Sequence, residues 1–152
     1  MIRAMSSSDI EKVNEIEQVC FKIPWSKDEF RCLLNFTDTI AVVCEKGEEI
    51  VGYGIGILFN SYLHIANLAV KPTYRRRGIG SKLISYVLNH ACKKHKEFAT
   101  LEVRVNNQAG INLYKKLGFK DKGIKESYYP DGESAIIMKK SLVLKGFLSP
   151  RE

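Results

Sequence analysis

Long apolar runs are missing from this chain: no stretch approaches the roughly 18 residues needed to cross a bilayer. The opening MIRAMSSSDIEK has no apolar centre of the kind a secretion signal carries, so the cytoplasm is the expected location. No CxxC pair occurs, and Cys20, Cys32, Cys44 and Cys92 stand too far apart for a compact disulfide framework; they read as reduced core residues. His64, His90 and His95 form no HExxH or other ligand spacing, so no metal is expected. Repeats, low-complexity segments and interdomain linkers are absent too. Residues 1–152 therefore read as one domain, long enough to bury a single core.

Acidic residues are the scarcer charge. Against 17 Asp and Glu stand 24 Lys and Arg, for a formal net charge of +7, which favours anionic partners: nucleic acid, an acidic peptide or a phosphorylated cofactor. Hydrophobic residues at 45% and charged residues at 27% fit a folded soluble protein. Which anion is meant depends on where the charge lies.

Two short amphipathic helices open the pattern. Ser8 and Glu11 have capping-box spacing ahead of Ile10, Val13 and Ile16, and Ser26 with Glu29 repeats the device ahead of Phe30, Leu33 and Leu34. TIAVVCE and IVGYGIGIL read as a hairpin around KGEE, followed by the strand YLHIANLAV. The glycines of IVGYGIGIL lie inside a strand, which excludes a dinucleotide fingerprint at a strand-to-helix junction. IGSKLISYVLNHACKKH carries one broad apolar stripe and is a helix. FATLEVRV is a strand, NQAGINLYKKLGF a helix stopped by Gly118, and KESYY with SAIIMKK an antiparallel pair turning at PDGE. Residues 141–152 receive no assignment. The order predicts a mixed α/β fold, one mixed sheet with helices on its faces.

The stretch AVKPTYRRRGIGSKLI places three arginines where the backbone loses its side chains. A helix N-terminus offers unpaired N–H groups and roughly half a positive charge. Glycines let an anion approach those amides, and forked guanidinium groups suit phosphate oxygens. Without the first glycine and the Gly-Lys-Ser/Thr ending, this is not a P-loop. It reads as a diphosphate cradle.

These residues resemble the acyl-CoA signature of the GNAT N-acyltransferases, R/Q-x-x-G-x-G/A, with Arg75, Gly78 and Gly80 at its fixed positions. NNQAGINLYKKLGF is similar to the family's later motif, with Gly110 in place of the usual alanine. The resemblance covers nearly the whole chain. It implies a mostly antiparallel sheet of about six or seven strands, with acetyl-CoA threaded between two central splayed parallel strands, YLHIANLAV and FATLEVRV. Leu68, Ala69 and Val70 would pair with the pantetheine. Arg75, Arg76, Arg77, Gly78, Ile79, Gly80 and Ser81 would wrap the pyrophosphate, and Asn107 and Tyr114 would face the thiol. With CoA as the anion, nucleic acid is not the expected partner.

CFKIPWS, TLEVRVNN and YYPDGESAIIM are closest to the ribosomal-protein-alanine and related N-terminal acetyltransferases of that family. The subgroup implies Glu102 as base, Tyr114 as acid, and Phe21, Ile23, Pro24, Tyr128 and Tyr129 around the peptide, with Trp25 a packing anchor. A carboxylate with an ordinary pKa near 4.3 is a weak base for an ammonium, so burial or a water relay is expected around Glu102. At neutral pH roughly one α-amine in ten is already neutral, against well under one lysine in a thousand, which favours a protein N-terminus as acceptor. A small amine such as a polyamine or aminoglycoside, or a lysine, is the alternative acceptor; a non-catalytic acetyl-CoA- or RNA-binding module is the alternative class. A monomer or weak dimer is expected.

Overall fold

The structure, a computed structural model, describes residues 1–143. Strand β1 (Ile2–Ala4) leads through one 3-10 turn into helix α1 (Ile10–Cys20) and helix α2 (Lys27–Leu34). The meander β2 (Thr39–Lys46), β3 (Glu49–Leu58) and β4 (Tyr62–Val70) follows, then α3 (Ile79–Lys93), β5 (Phe98–Arg104) and α4 (Gln108–Lys116). The hairpin β6 (Lys120–Lys125) and β7 (Ala135–Ser141) closes one seven-stranded sheet, ordered β1-β2-β3-β4-β5-β7-β6. Among the described residues only β4 and β5 pair in parallel.

Alternation along the strands builds two apolar layers. Ile40, Val42 and Cys44 of β2 join Leu83, Ile84 and Val87 of α3 on one face, while Val43, Tyr53 and Ile55 meet Val13, Ile16 and Phe30 on the other. Each buried aliphatic side chain of α3 contributes about 1.5–3 kcal/mol. The glycines of β3 face α3: a Cβ at Gly56 would lie 2.7 Å from Leu63 Cδ1 and 2.8 Å from Val87 Cγ1. Helix α3 rests almost on bare backbone.

Three expectations need correction, and one strand was not foreseen. The first cap is one turn early: the Ser6 N–H donates to Asp9 Oδ2 at 2.8 Å, so the box is Ser6–Asp9 rather than Ser8–Glu11. Strand β1, too short to show a pattern, is held because Arg3 bonds Asp9 (2.7 and 2.8 Å) and Glu45 (2.7 Å). The closing hairpin uses Lys120–Lys125, not KESYY, with Glu126–Ser134 as a loop. Ser127 takes a positive φ of 50°, and Tyr128 and Tyr129 leave the sheet for Glu102 and Arg104. All four cysteines are free, but only Cys44 is buried; Cys20 is half-buried and Cys32 and Cys92 are exposed. Of the unassigned tail, residues 144–152 lie outside the described residues.

Candidate active site

The parallel pairing of β4 with β5 stops after Tyr62↔Phe98, Leu63↔Ala99 and His64↔Thr100. Beyond it β4 runs on paired only with β3, through a bulge at Ala66, and β5 runs on paired only with β7. The facing edges open into a wedge, with Leu68, Ala69 and Val70 on one side and Glu102 on the other. Their main chain, not their side chains, lines it: Ala69 is buried and Leu68 and Val70 pack against the core. The Val70 carbonyl already accepts from Arg75 Nε at 3.1 Å.

At the wedge's mouth the chain turns through Arg76 (φ 64°) into Gly78 (φ 78°), the N-cap of α3. Both are left-handed, and at the cap only glycine adopts that angle without cost. No side chain caps the helix, so its first N–H groups are left for an anion. Arg75 is pinned by Val70 and by Cys20 Sγ, 3.3 Å from its Nη2. The Arg77 guanidinium lies 5.0 Å from the Tyr74 ring centroid, and Arg76 is exposed beside it. Ile79 buries its side chain, so it and the half-buried Gly80 and Ser81 offer backbone to the cradle.

Strand β5 sends Leu101 and Val103 into the α3 layer, which puts Thr100 and Glu102 on the opposite face. The Glu102 side chain is 14% exposed, with Oε1 3.2 Å from His64 Nε2, and Lys125 Nζ is 3.7 Å from Oε2. The Tyr128 hydroxyl donates to Oε1 at 3.3 Å. The His64 hydrogen bond holds the carboxyl below its ordinary pKa; burial opposes, while Lys125 and Tyr128 reinforce it. This reverses the expected strengthening of the base by burial. An ionised carboxylate only accepts, so His64 Nε2 carries the proton, and Nδ1 lies 3.0 Å from Thr100 Oγ1.

Helix α4 brings Tyr114. Its N-cap is Asn107, whose Oδ1 accepts the Gly110 N–H at 3.0 Å. A Cβ at residue 110 would stand 2.7 Å from Asn107 Nδ2, so the departure from alanine makes room for this cap. Asn107 thus spends its carbonyl on the helix rather than on the wedge. Tyr114 packs edge-on against Phe119 at 5.8 Å. Burial, with nearby Tyr129 adding to it, pushes its phenol well above the ordinary value and keeps it protonated.

The two peptide-side segments meet. Lys22 Nζ lies 3.7 Å from Asp131 Oδ2, joining the α1–α2 turn to the β6–β7 loop. Arg104 holds that loop through Asp131 (3.0 Å), Glu133 (2.6 Å) and the Tyr129 ring at 4.0 Å. Burial pushes the Tyr129 phenol up to about 12, against the pull of Arg104. Ile23 and Tyr128 are exposed, and Phe21 and Pro24 are half-covered. Trp25 packs against Phe30 at 5.4 Å, as an anchor should.

Sequence reasoning missed His64, Lys125 and a buried carboxylate, Glu17, 2% exposed. Glu17 accepts from the Tyr53 hydroxyl, from Asn67 Nδ2 at 2.8 Å and from the Trp25 N–H at 2.9 Å. One signal was available: Tyr62 and His64 alternate with the buried Leu63 and Ile65, which sends His64 to the face that Glu102 occupies on β5.

A wedge between parallel strands, closed at one end by an uncapped arginine-ringed helix, defines an acyl-CoA-dependent acyltransferase, and the chain belongs to the acetyltransferase (GNAT) family, whose model matches residues 10–119. Among curated relatives, a protein of Bacillus subtilis (strain 168), provisionally named ribosomal protein bS18-alanine N-acetyltransferase, is 39% identical over 140 residues, spanning 90% of this chain and 92% of its own. The Escherichia coli (strain K12) ribosomal protein bS18-alanine N-acetyltransferase is 32% identical over 145 residues, with 90% and 94% covered. Among solved structures, the Escherichia coli ribosomal-protein-S18-alanine N-acetyltransferase superposes with a TM-score of 0.87 at 30% identity, covering 96% of each chain. Ard1 from Thermoplasma volcanium gives 0.89 at 27%, covering 95% of this chain and 98% of its own.

Proposed function

We propose that this chain acetylates the N-terminal α-amine of a protein, a ribosomal protein foremost, in the cytoplasm. The observation that carries this is Glu102: an ionised carboxylate, oriented by His64 and Tyr128, at the point where β4 and β5 part. Acetyl-CoA supplies the activated thioester. The tip of α3 with Arg75, Arg76 and Arg77 neutralises its diphosphate, and the free edge of β4 aligns its pantetheine arm.

The neutral fraction of the amine bonds to the carbonyl carbon, and Glu102 accepts the proton that the nitrogen, made acidic by that bond, gives up. His64, donating from Nε2, fixes the carboxylate's orientation. With its carboxyl held below the ordinary value, Glu102 cannot strip a lysine in advance, whereas an α-amine with a pKa of about 7.7–8.0 is already partly neutral. That asymmetry favours N-termini. Tyr114, kept protonated by burial, donates to the leaving thiolate. No cysteine takes part, so the acetyl group passes directly to the amine.

The test is Glu102→Gln, assayed on peptides beginning with Ala, Ser and Met beside a lysine peptide and spermidine. We expect kcat to fall by about 10²–10⁴ with acetyl-CoA affinity kept. Activity confined to the last two acceptors would overturn the N-terminal reading, and an unchanged kcat would remove Glu102 from its role.

A further inference from the structure

Positive charge is not spread evenly over this chain. Residues 93–97, 115–122 and 139–140 hold nine lysines against two carboxylates, Glu97 and Asp121, a local excess of seven that equals the formal net charge of the whole chain. Among the described residues, none of these lysines has a carboxylate oxygen within 4.0 Å; the ion pairs lie elsewhere. CoA phosphates at the tip of α3 do not account for Lys93, Lys94, Lys96, Lys120 and Lys139, because α3 ends and β4 and β5 begin at the opposite end of the sheet; Lys115 and Lys116 lie nearer that tip, following Leu113, which packs by Gly80.

Aromatic rings connect this charge into a track. Lys139 stands opposite Lys120 in register, its Nζ 4.1 Å from the Phe98 ring centroid. Phe98 stacks on Tyr62 at 5.1 Å and 4°, and Tyr62 on Phe59 at 4.9 Å and 17°. Phe59 ends the stack 44% exposed and lines a cavity of about 540 Å³ together with His90, Lys94, Lys96 and one carboxylate, Asp38. Lys96 is fixed there by donating to the Asn60 carbonyl at 3.1 Å.

We propose that this end of the molecule docks single-stranded RNA, one base extending the ring stack on Phe59 and the flanking phosphates lying on the lysines. A stack ending in an exposed ring beside a cavity that two lysines line fits an unpaired base and its phosphates. An acidic peptide would use the lysines and leave the ring without purpose. A duplex hides its bases from such a ring. Phe98 lies four residues from Glu102, about 13 Å along β5, so RNA held here leaves the catalytic wedge open to a protein N-terminus. The proposal departs from the expectation that nucleic acid is not a partner.

The experiment is fluorescence anisotropy with an unstructured RNA of about 12 nucleotides, with saturating acetyl-CoA filling the arginine loop. Saturable binding is expected at about 50 mM salt, weakening as salt rises. Phe59→Ala and the double variant Lys94→Glu/Lys96→Glu should each weaken it at least about tenfold. The double variant should also flatten the log–log salt slope by at least about 1.4, from about 0.7 per lost phosphate contact. Acetylation of a short free peptide should stay unchanged in both, which shows that they fold and separates this test from that of the catalytic reading. Four results would each overturn the proposal: no RNA binding, equal affinity for polyglutamate, equal affinity for duplex RNA, or binding lost only with Arg76→Glu/Arg77→Glu.

Discussion

Glu17 is a buried carboxylate without a cation, held by three donors from three separate parts of the chain. Glu17→Ala strands the Tyr53 hydroxyl, the Trp25 N–H and the Asn67 amide in an apolar layer. At about 1–3 kcal/mol for each unsatisfied buried donor, the loss is about 3–9 kcal/mol. Total stability for a domain is about 5–15 kcal/mol, so this variant should be barely folded or unfolded. Glu17→Gln keeps one carbonyl acceptor and turns its amide towards a donor, so about 1–3 kcal/mol is expected. Urea unfolding at neutral pH measures both, with Trp25, the chain's one tryptophan, as the fluorescent reporter beside the lesion. Since Trp25 follows Phe21, Ile23 and Pro24 in the same turn, the Gln variant should also raise the peptide KM several-fold and leave acetyl-CoA binding within about twofold. An alanine variant less than about 1 kcal/mol weaker than the parent would refute this reasoning.

Two further outcomes follow from other residues. Asp9, 8% exposed and bonded through both oxygens to Arg3, is held at about 2 against an ordinary 3.8, chiefly by the Arg3 hydrogen bonds. A lowered folded-state pKa stabilises above the unfolded value and loses that effect as pH falls through the folded one. Asp9→Asn should therefore cost about 2 kcal/mol, or about 4–8 °C in Tm, at pH 6, and the gap to the parent should close between pH 4 and 2. Gly78→Ala meets no neighbour within 4 Å, so its cost is the left-handed backbone, about 1–2 kcal/mol by thermal melting. The methyl group at the helix tip should also weaken acetyl-CoA binding by calorimetry; equal affinity would remove that tip from the cradle.

What the sequence made legible was local. The α3 stripe, the β2–β3 hairpin and β4 follow from periodicity, and the arginine–glycine loop from the chemistry of helix ends. Strand β6 escaped because all of its residues are exposed, so it has no buried alternation to read. Its lysines suit an open sheet edge, where they hinder pairing with another chain. His64 and Lys125 escaped for a different reason: they reach Glu102 from 38 and 23 positions away in the chain, and only the order of four strands, β4-β5-β7-β6, brings them together. Glu17 looked like one more helical glutamate, since its partners lie at 25, 53 and 67. The environment of Glu102, and with it the direction of its pKa, is a property of the sheet and not of any motif.

The bare glycine stripe of β3 beneath α3 has a mechanical meaning. A helix resting only on side chains can slide as rotamers change, but one seated partly on main chain has little that is compressible along that line. The N-terminal tip of α3 is thereby held at a constant height above the strand that lines the wedge. On the proposed binding mode, the distance from phosphate anchor to reacting carbonyl is set when the protein folds, as a fixed ruler, before any thioester arrives.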